Sequence, residues 1–297
     1  MMRRDRRQDA VKPRAPIAPR SAASMENGAR MMGRGVTPAL AIAASLLVAV
    51  PGLASAEPYL AGFVGAAFTE NKGLETTQTN NPLSVNGVSF LDGTFKNIDF
   101  DTSVVFGGKI GYYFDHPVLG GNFGLELEVY HFEPDVASQT VTFSGTARTI
   151  FGTTLPQEFR ATIQKADIDV TAIGLNLLYR LELDQSDNFP HGRFQPYAGV
   201  GLGLFIATLS TTTTPFDTNK SIDDTDVQPG GQLLVGARFF LSPHIAIFAE
   251  YKFIQTAEFS FRFRESATAL GQPATETARD QADLTQHQLM AGVGFHW

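Results

Sequence analysis

Every second residue along much of the chain is apolar, and this period of two predicts β-strands. At the end of the chain Leu289, Ala291, Val293, Phe295 and Trp297 alternate with one methionine, two glycines and one histidine. Eight such runs follow one another, at approximately residues 58–68, 99–114, 122–133, 165–183, 194–209, 228–241, 244–259 and 283–297. Soluble sheets usually have strands of about five or six residues, whereas a tilted strand needs about 9 to 11 to cross a bilayer. The lengths of the runs therefore favour membrane-spanning strands.

The connections between these runs alternate in length. Those after the second, fourth and sixth runs are short, as at Ser242-Pro243, and the other four are long and rich in Thr, Asn, Ser, Asp and Gln. Short turns at one end and long polar loops at the other, with an even number of strands, are typical of outer-membrane barrels. The pattern predicts an all-β fold, an eight-stranded antiparallel up-and-down transmembrane β-barrel with short periplasmic turns and long extracellular loops.

The alternation also separates an apolar face from a face of glycines and isolated charges. Seven charged residues fall on the second face: Lys109, Glu126, Glu128, Arg180, Arg238, Glu250 and Lys252. The lumen of an eight-stranded barrel is only wide enough to be filled by side chains, and an unpaired charge there is costly. We therefore expect these charges to pair and plug the lumen. A thin, wet pore lined by the same residues is the alternative.

The start of the chain has the layout of a secretory signal peptide at residues 31–56. An arginine is followed by twelve mostly apolar residues, a Pro-Gly break and a small-x-small cleavage site whose small positions are Ala54 and Ala56. The apolar run is too short to span a membrane as a helix. Residues 1–30 are expected to be a disordered extension or to precede the true start. The barrel domain is then residues 57–297.

Composition narrows the range of partners. Nine of the 23 Lys and Arg and three of the 30 Asp and Glu precede residue 57, which leaves a net charge of −13 on the predicted barrel domain. Such an acidic chain is a poor candidate for nucleic acid, whose phosphates require Lys and Arg. The chain has no cysteine, so it offers neither disulfides nor thiolate ligands. We expect no cofactor and no metal.

The chain ends within its last strand, on its only tryptophan. In a closed barrel the last strand pairs with the first and leaves no free edge. Val293, Phe295 and Trp297 would then face lipid at the periplasmic rim, where aromatic side chains gather. Other aromatic residues near the short-turn ends are expected to complete this girdle: Tyr112, Phe114, Phe123, Tyr179, Phe194 and Phe239.

Three stretches, "PYAGVGLGLF", "GGQLLVGARFFLSPHIAIFAEYKF" and "MAGVGFHW", resemble the opacity-type, OmpA-like outer-membrane β-barrels of Gram-negative bacteria. The resemblance covers residues 57–297 and is most specific over the last hundred. It implies an eight-stranded barrel in the outer membrane, surrounded by lipid and lipopolysaccharide, with a terminal aromatic signal for the barrel-insertion machinery. Most members end on Phe, whereas this chain ends on Trp297. Members of this family of small porin-like proteins serve as surface antigens, adhesins or structural barrels.

Three functions from different classes are compatible with this prediction. The first is a structural and surface-interaction barrel whose long loops meet host or other surface ligands. The second is a small ion or solute channel. The third is a lipid A-modifying enzyme, which needs a nucleophile beside a base on the outer face. The alternation allows His131 and His287 to face outward near the upper rim, with Ser138 and Thr285 close in sequence, but a structural or loop role is expected for each. We therefore expect no enzymatic activity.

Overall fold

The computed structural model describes residues 56–79, 88–149, 154–163, 165–211, 222–269 and 272–297, all within the unit Leu53–Trp297. The predicted extension and the predicted signal peptide up to residue 55, Ala54 included, lie outside these ranges, and Ala56 is the first residue of the first strand. None of the described residues belongs to a helix that is long and apolar enough to cross a membrane.

The described residues form fourteen β-strands. In chain order they are β1 (Ala56–Thr69), β2 (Lys72–Thr79), β3 (Val88–Ile98), β4 (Ser103–Phe114), β5 (Gly121–Phe132), β6 (Gln139–Thr149), β7 (Thr154–Ile163), β8 (Asp167–Leu181), β9 (Phe194–Thr211), β10 (Ile222–Ser242), β11 (Ile245–Thr256), β12 (Phe259–Ala269), β13 (Gln272–Ala282) and β14 (Thr285–His296).

Eight of these strands close into an antiparallel barrel in the order β1-β14-β11-β10-β9-β8-β5-β4. The first strand pairs with the last, with Tyr59 opposite His296 and Ala66 opposite Leu289, and its other edge pairs with β4. Beyond the last strand, the backbone N–H of Trp297 donates to the Pro58 carbonyl at 3.2 Å. The predicted eight-stranded barrel and its closure between the first and last strands are confirmed.

The two faces of the barrel wall differ as the alternation predicts. In β11, for example, residues switch between exposed and buried from Ile245 to Tyr251. Leu202 on the outer wall is 76% exposed, whereas Lys252 on the inner face is fully buried. An apolar surface of this extent is suited to hydrocarbon rather than to water.

Three of the four long connections contain strands rather than loops. Three hairpins, β2–β3, β6–β7 and β12–β13, assemble a second sheet in the order β12-β13-β2-β3-β6-β7, which we call the outer sheet. In the fourth long connection, β9 and β10 extend until Thr211 pairs with Ile222. Threonine favours strands, but these segments lack a regular alternation of apolar and polar residues. The sequence pattern therefore indicated only polar loops.

The three short connections lie together at the opposite end of the barrel, which we call the short-turn end. The turn between β4 and β5 places Leu119 and Gly120 at positive φ, and the turn between β8 and β9 does the same at Asp184 and Gly192. A Cβ on Gly192 would lie 2.5 Å from the Leu183 carbonyl oxygen, so the φ of +84° and the close approach both require glycine. Compact turns of this kind require glycine and other turn-forming residues, and these residues make the short connections recognisable in the sequence.

Candidate functional site

The seven charged residues predicted on the inner face all lie inside the barrel, and none is more than 3% exposed. At mid-height, Lys109 Nζ lies 2.6 Å from Glu250 Oε2 and 3.5 Å from Glu126 Oε2. β4 and β5 are consecutive, paired strands, whereas β11 is more than 100 residues further along the chain and lies opposite β5 in the barrel. This ion-paired group therefore links opposite walls of the barrel.

A second group lies one layer nearer the outer sheet. Lys252 Nζ lies 2.6 Å from both oxygens of Glu128 and 3.9 Å from Glu250 Oε1. Gln232 donates to Glu128 at 2.6 Å, and Asn176 donates to Glu126 and Glu128 at 3.0 and 3.1 Å. The buried carboxylates are thus solvated by amides as well as by cations, which offsets part of the cost of removing them from water.

Arg238 is held by aromatic rings more than by a carboxylate. Its guanidinium lies 4.2, 4.9 and 5.1 Å from the ring centres of Tyr59, Tyr197 and Tyr113, while the distance from Nη2 to Glu126 Oε2 is 3.8 Å. A planar guanidinium stacks well on aromatic faces. Two of these tyrosines also donate their hydroxyls to carboxylates, Tyr59 to Glu126 and Tyr197 to Glu250. Tyr59 and Tyr197 therefore connect Arg238 to the mid-height ion pairs.

Arg180 forms its own cluster of ion pairs at the short-turn end. Its Nη2 lies 2.5 Å from Glu57 Oε2 and 2.9 Å from Glu182 Oε1, and Glu57 also contacts His296 Nδ1 at 2.7 Å. None of the three predicted glutamates contacts Arg180 within ion-pairing distance. The ion pairs thus fall into two groups, which the Tyr113 ring connects because its centre lies 4.0 Å from the Arg180 guanidinium and 5.1 Å from that of Arg238. Glu57 and Glu182 supply the acidic partners that the sequence prediction missed. Glu57 was detectable, because the alternation of β1 places it on the inner face with Tyr59.

Above the charged layers, near the outer sheet, the lumen is closed by apolar side chains. Phe132, Phe205 and Ile254 are fully buried, and Tyr130 lies between them and Gln232, to which it donates a hydrogen bond of 3.2 Å. The barrel interior is therefore filled in layers, charged and polar at mid-height and apolar at the sheet end. A filling of this kind is expected of an eight-stranded barrel.

Inward-facing glycines make room for the large side chains of this filling. A Cβ on Gly111 would lie 2.8 Å from the Tyr59 ring, and one on Gly236 would lie 2.6 Å from the Tyr197 hydroxyl. The sequence prediction of the network includes only charged residues, whereas the structure adds inward-facing glutamines and tyrosines. Their inward positions follow from the alternation, but nothing in the sequence indicates which partner each one contacts.

The aromatic residues expected at the lower rim are partly exposed on the outer wall near the short-turn end. Phe114, Phe239 and Trp297 are 36%, 38% and 53% exposed, and Val293 and Phe295 are 56% and 50% exposed. Neighbouring rings contact one another, with Tyr112 and Phe114 centred 4.9 Å apart, Phe123 and Tyr179 5.1 Å apart, and Phe295 and Trp297 5.9 Å apart. Phe194 is also exposed on this wall.

The two outward-facing histidines contact other partners than those near them in sequence. His131 Nδ1 lies 3.1 Å from Thr171 Oγ1 rather than near Ser138, whose hydroxyl donates to a backbone carbonyl. His131 Nε2 lies 3.3 Å from Glu133 and 3.8 Å from Asp169. One ligand atom from each of His131, Glu133 and Asp169 lies within 4.8 Å of the others, but all three side chains are partly exposed, and such surface groups are common without a metal.

His287 also has polar partners on the outer wall. Its Nδ1 lies 2.7 Å from the Tyr251 hydroxyl, and its Nε2 lies 3.1 Å from Glu70 Oε1. Thr285, which is closest in sequence, donates instead to Gln255 at 2.7 Å. Among the described residues, His287 thus pairs with Tyr251 and Glu70 and with no Ser or Thr hydroxyl.

Comparison with known proteins identifies a family. A family model described as the outer membrane protein beta-barrel domain matches residues 40–296. No curated protein matches the chain. Among solved structures, the chain is similar to OprG from Pseudomonas aeruginosa at 13% identity, with 82% of this chain and 96% of that chain covered and a TM-score of 0.40. It is similar to neisserial surface protein A at 12%, with 81% and 97% covered and a TM-score of 0.36, and to Ail of Yersinia pestis at 9%, with 82% and 99% covered and a TM-score of 0.34.

Proposed function

The chain belongs to the outer membrane protein beta-barrel domain family and lies in the outer membrane; from this premise we propose that it acts at the cell surface through its outer sheet, with the barrel as a closed membrane anchor. The short-turn end then faces the periplasm. Outer-membrane lipid and lipopolysaccharide surround the barrel wall, and the last strand carries the signal for the barrel-insertion machinery.

The filled lumen is the observation that supports this proposal best. Lys109, Glu126 and Glu250 join opposite walls at mid-height, and Phe132 and Phe205 close the sheet end. The cations and carboxylates are paired or in contact with aromatic rings, so little field remains to draw ions into the barrel. These layers favour the plugged barrel over the thin, wet pore.

The outer sheet offers a surface for a protein or glycan partner. Its three hairpins project from one end of the barrel, and β7 exposes Glu158, Phe159 and Arg160. In the described sheet, β7 pairs only with β6, so its other edge is open to a further strand. Host or other surface ligands are therefore the partners we propose for this face.

Adhesion of cells that carry the protein tests the proposed surface role. In the test variant, short Gly/Ser turns replace the hairpins at 72–98, 139–163 and 259–282. We expect the barrel to remain heat-modifiable on gels, because its closure does not use these strands. Adhesion to host cells or matrix is expected to fall to background. A matched variant with a redesigned turn at 115–120 should adhere like the wild type, and undiminished adhesion of the hairpin variant would contradict the proposal.

Recording from planar bilayers separates the anchor from the channel. We expect refolded protein to give no steady single-channel steps, because charged and apolar layers both fill the lumen. Lys109→Ala and Arg238→Ala, which remove parts of the filling, serve as sensitised variants. Steady steps in the wild type that change in these variants would support the channel and overturn the closed barrel.

The lipid-modifying alternative has one observation in its favour, the row of Thr171, His131 and Glu133 on the outer wall. A hydroxyl that contacts an imidazole, which in turn contacts a carboxylate, has the components of an activated nucleophile. However, β8 pairs with β5 on one side and β9 on the other, so backbone N–H groups beside Thr171 are engaged in ladders and none is free to stabilise an oxyanion. We expect mass spectra of lipid A to be the same with overexpressed wild type and with Thr171→Val.

A further inference from the structure

A cavity of about 380 Å³ lies at the short-turn end of the barrel, on the opposite side from the outer sheet. All three short turns contribute to its wall, through Asp115, the stretch 188–192 and Pro243-His244. Ligand sites in proteins are typically concave and about 300–1,000 Å³ in volume, with aromatic rings and a few polar groups in their walls. The size of this cavity therefore matches a site for a small molecule that approaches from the side of the short turns.

The filling of the lumen closes the inner end of this cavity. Tyr113 belongs to the wall, and its ring centre lies 4.0 Å from the Arg180 guanidinium and 5.1 Å from that of Arg238. Beyond Arg238 lie Glu126 and Lys109, which belong to the mid-height ion pairs. A molecule that enters the cavity therefore reaches a dead end, so the geometry suits binding rather than passage.

The buried charges around the cavity are paired with one another. Arg180 Nη2 lies 2.5 Å from Glu57 and 2.9 Å from Glu182, and Arg180 Nη1 donates to Gln195 at 3.2 Å. Glu57 also contacts His296 Nδ1 at 2.7 Å. An anionic ligand would meet the two carboxylates that already surround Arg180, and a cationic ligand would compete with Arg180 for them. The inner part of the cavity therefore favours an uncharged ligand.

Three buried polar atoms of the wall have no hydrogen-bond partner among the described residues. They are the Tyr113 hydroxyl, Arg180 Nε and His296 Nε2, on side chains that are at most 2% exposed. A buried polar atom without a partner costs about 1–3 kcal/mol, so a bound molecule that supplies partners is stabilised. Arginine Nε only donates, whereas a tyrosine hydroxyl and a histidine nitrogen can donate or accept. Ligand hydroxyl groups, which do both, match all three atoms.

Aromatic rings belong to the same wall, namely those of Tyr113, Phe189, Phe240 and Trp297 among others. Such rings cover the apolar faces of a ligand, while polar atoms fix its orientation. A pyranose ring has apolar C–H faces and hydroxyl groups along its edge, and it is uncharged. We propose that this cavity binds the end of a neutral saccharide. Free oligosaccharides and the ends of longer glycans both have this chemistry, and in the orientation proposed above they would arrive from the periplasm.

Fluorescence of Trp297 tests this site, because it belongs to the wall and is the only tryptophan of the chain. The full chain, refolded in detergent micelles, is titrated with maltose, lactose and chitobiose, three neutral disaccharides that differ in linkage or sugar unit. We expect a saturable change with at least one of them. Derivatives of the same disaccharide with an added carboxylate or ammonium group should bind about tenfold or more weakly.

A linear hexasaccharide of the same unit separates the two sources of the ligand. It should bind like the disaccharide if the cavity takes the ends of long glycans, and far more weakly if the cavity takes only short saccharides.

Variants of the wall complete the test. Tyr113→Phe removes a hydroxyl without breaking a hydrogen bond to any described residue, so we expect a folded protein that binds the disaccharide about three- to tenfold more weakly. The control Tyr179→Phe removes a hydroxyl outside the wall, which donates to the Val118 carbonyl at 2.9 Å near the same end of the barrel, and it should bind like the wild type. Arg180→Lys, which keeps the charge and removes Nε, replaces Tyr113→Phe if the latter fails to fold.

Two results would overturn the proposal. The first is the lack of a saturable change with all three disaccharides, which would mean that water alone satisfies the three polar atoms. The second is equal binding by the wild type and by Tyr113→Phe. Neither measurement involves adhesion or the orientation in the membrane, so this site and the proposed surface role are tested separately.

Discussion

Each buried cation at mid-height contacts aromatic rings as well as carboxylates. Lys109 Nζ lies 4.8 Å from the centre of the Phe248 ring, Lys252 Nζ lies 4.5 Å from that of Tyr130, and the Arg238 guanidinium is surrounded by tyrosines. A ring attracts a cation through its negative face and brings no charge that must itself be removed from water. The aromatic contacts therefore add to the stabilisation that the three carboxylates give the three buried cations.

Lys109→Met tests the mid-height ion pairs at the residue scale. The substitution leaves Glu250 and Glu126 without their shared cation, and breaking a buried pair typically costs about 3–5 kcal/mol. We expect a loss of this size in the free energy of unfolding, measured by urea titration in lipid vesicles with gel migration as the readout. The double variant Lys109→Met/Glu250→Gln should recover much of the loss.

The control for this experiment is the neighbouring Ile110→Met, on the opposite face of β4. It changes a side chain of similar size without removing a charge, so we expect a loss of less than about 1.5 kcal/mol. A Lys109→Met protein as stable as this control would show that the ion pairs contribute little.

At the scale of elements, β10 connects the barrel to the outer sheet. It is 21 residues long, and beyond the barrel it carries Asp224 and Asp226, whose carboxylates accept the backbone N–H groups of Arg262 and Ser260 at 2.7 and 2.8 Å. Unpaired N–H groups on an edge strand promote unwanted pairing with other chains. The two aspartates occupy part of the edge of β12 and anchor the outer sheet to the barrel.

Removal of both carboxylates is expected to loosen this anchor. In Asp224→Ala/Asp226→Ala, we expect the amides of Ser260 and Arg262 to exchange with deuterium faster, by about tenfold or more, since each lost hydrogen bond to a charged acceptor contributes about 1.5–3 kcal/mol. Amides of the barrel strands should not change. Asp187→Ala in a short turn removes one exposed charge far from β12 and serves as the control, and equal exchange in both proteins would refute the anchoring role.

Trp297, which directly follows β14, carries the proposed insertion signal. Its ring stacks on Phe295 on the outer wall, where an aromatic side chain suits the membrane boundary. We expect Trp297→Phe to assemble normally and Trp297→Asp to reduce the heat-modifiable, folded fraction in the outer membrane. Normal assembly of Trp297→Asp would argue against a signal at this position.

At the scale of the whole molecule, a closed sheet and an open sheet are combined in one chain. The barrel has no free edge, whereas the outer sheet ends at β12 and β7. Backbone groups inside a bilayer have no water to bond with, so opening the barrel wall is costly, and an open sheet in water can separate strand by strand. The two parts are therefore expected to differ in local stability.

Hydrogen exchange of the protein in nanodiscs tests this difference. We expect the outer-sheet amides, such as those of β6 and β7, to exchange well before those of β5 and β8 in the barrel wall. The apolar contacts of Ile98, Val136 and Val141 should make the base of the outer sheet the slowest part of it. Exchange of both sheets at one common rate would indicate a single cooperative unit and contradict the expectation.

The sequence by itself determined the number of barrel strands, their approximate bounds, the face on which most of their residues lie and the closure of the last strand on the first. These features depend on local alternation and turn residues, which each strand carries independently of the others. Only the tertiary structure decided which charges pair, since Lys109 and Glu250 are 141 residues apart and meet through the registers of several strand pairs. It also decided that Glu57 completes the Arg180 cluster and that polar hairpins form the outer sheet, because pairing between polar strands depends on backbone contacts that side-chain periodicity does not encode.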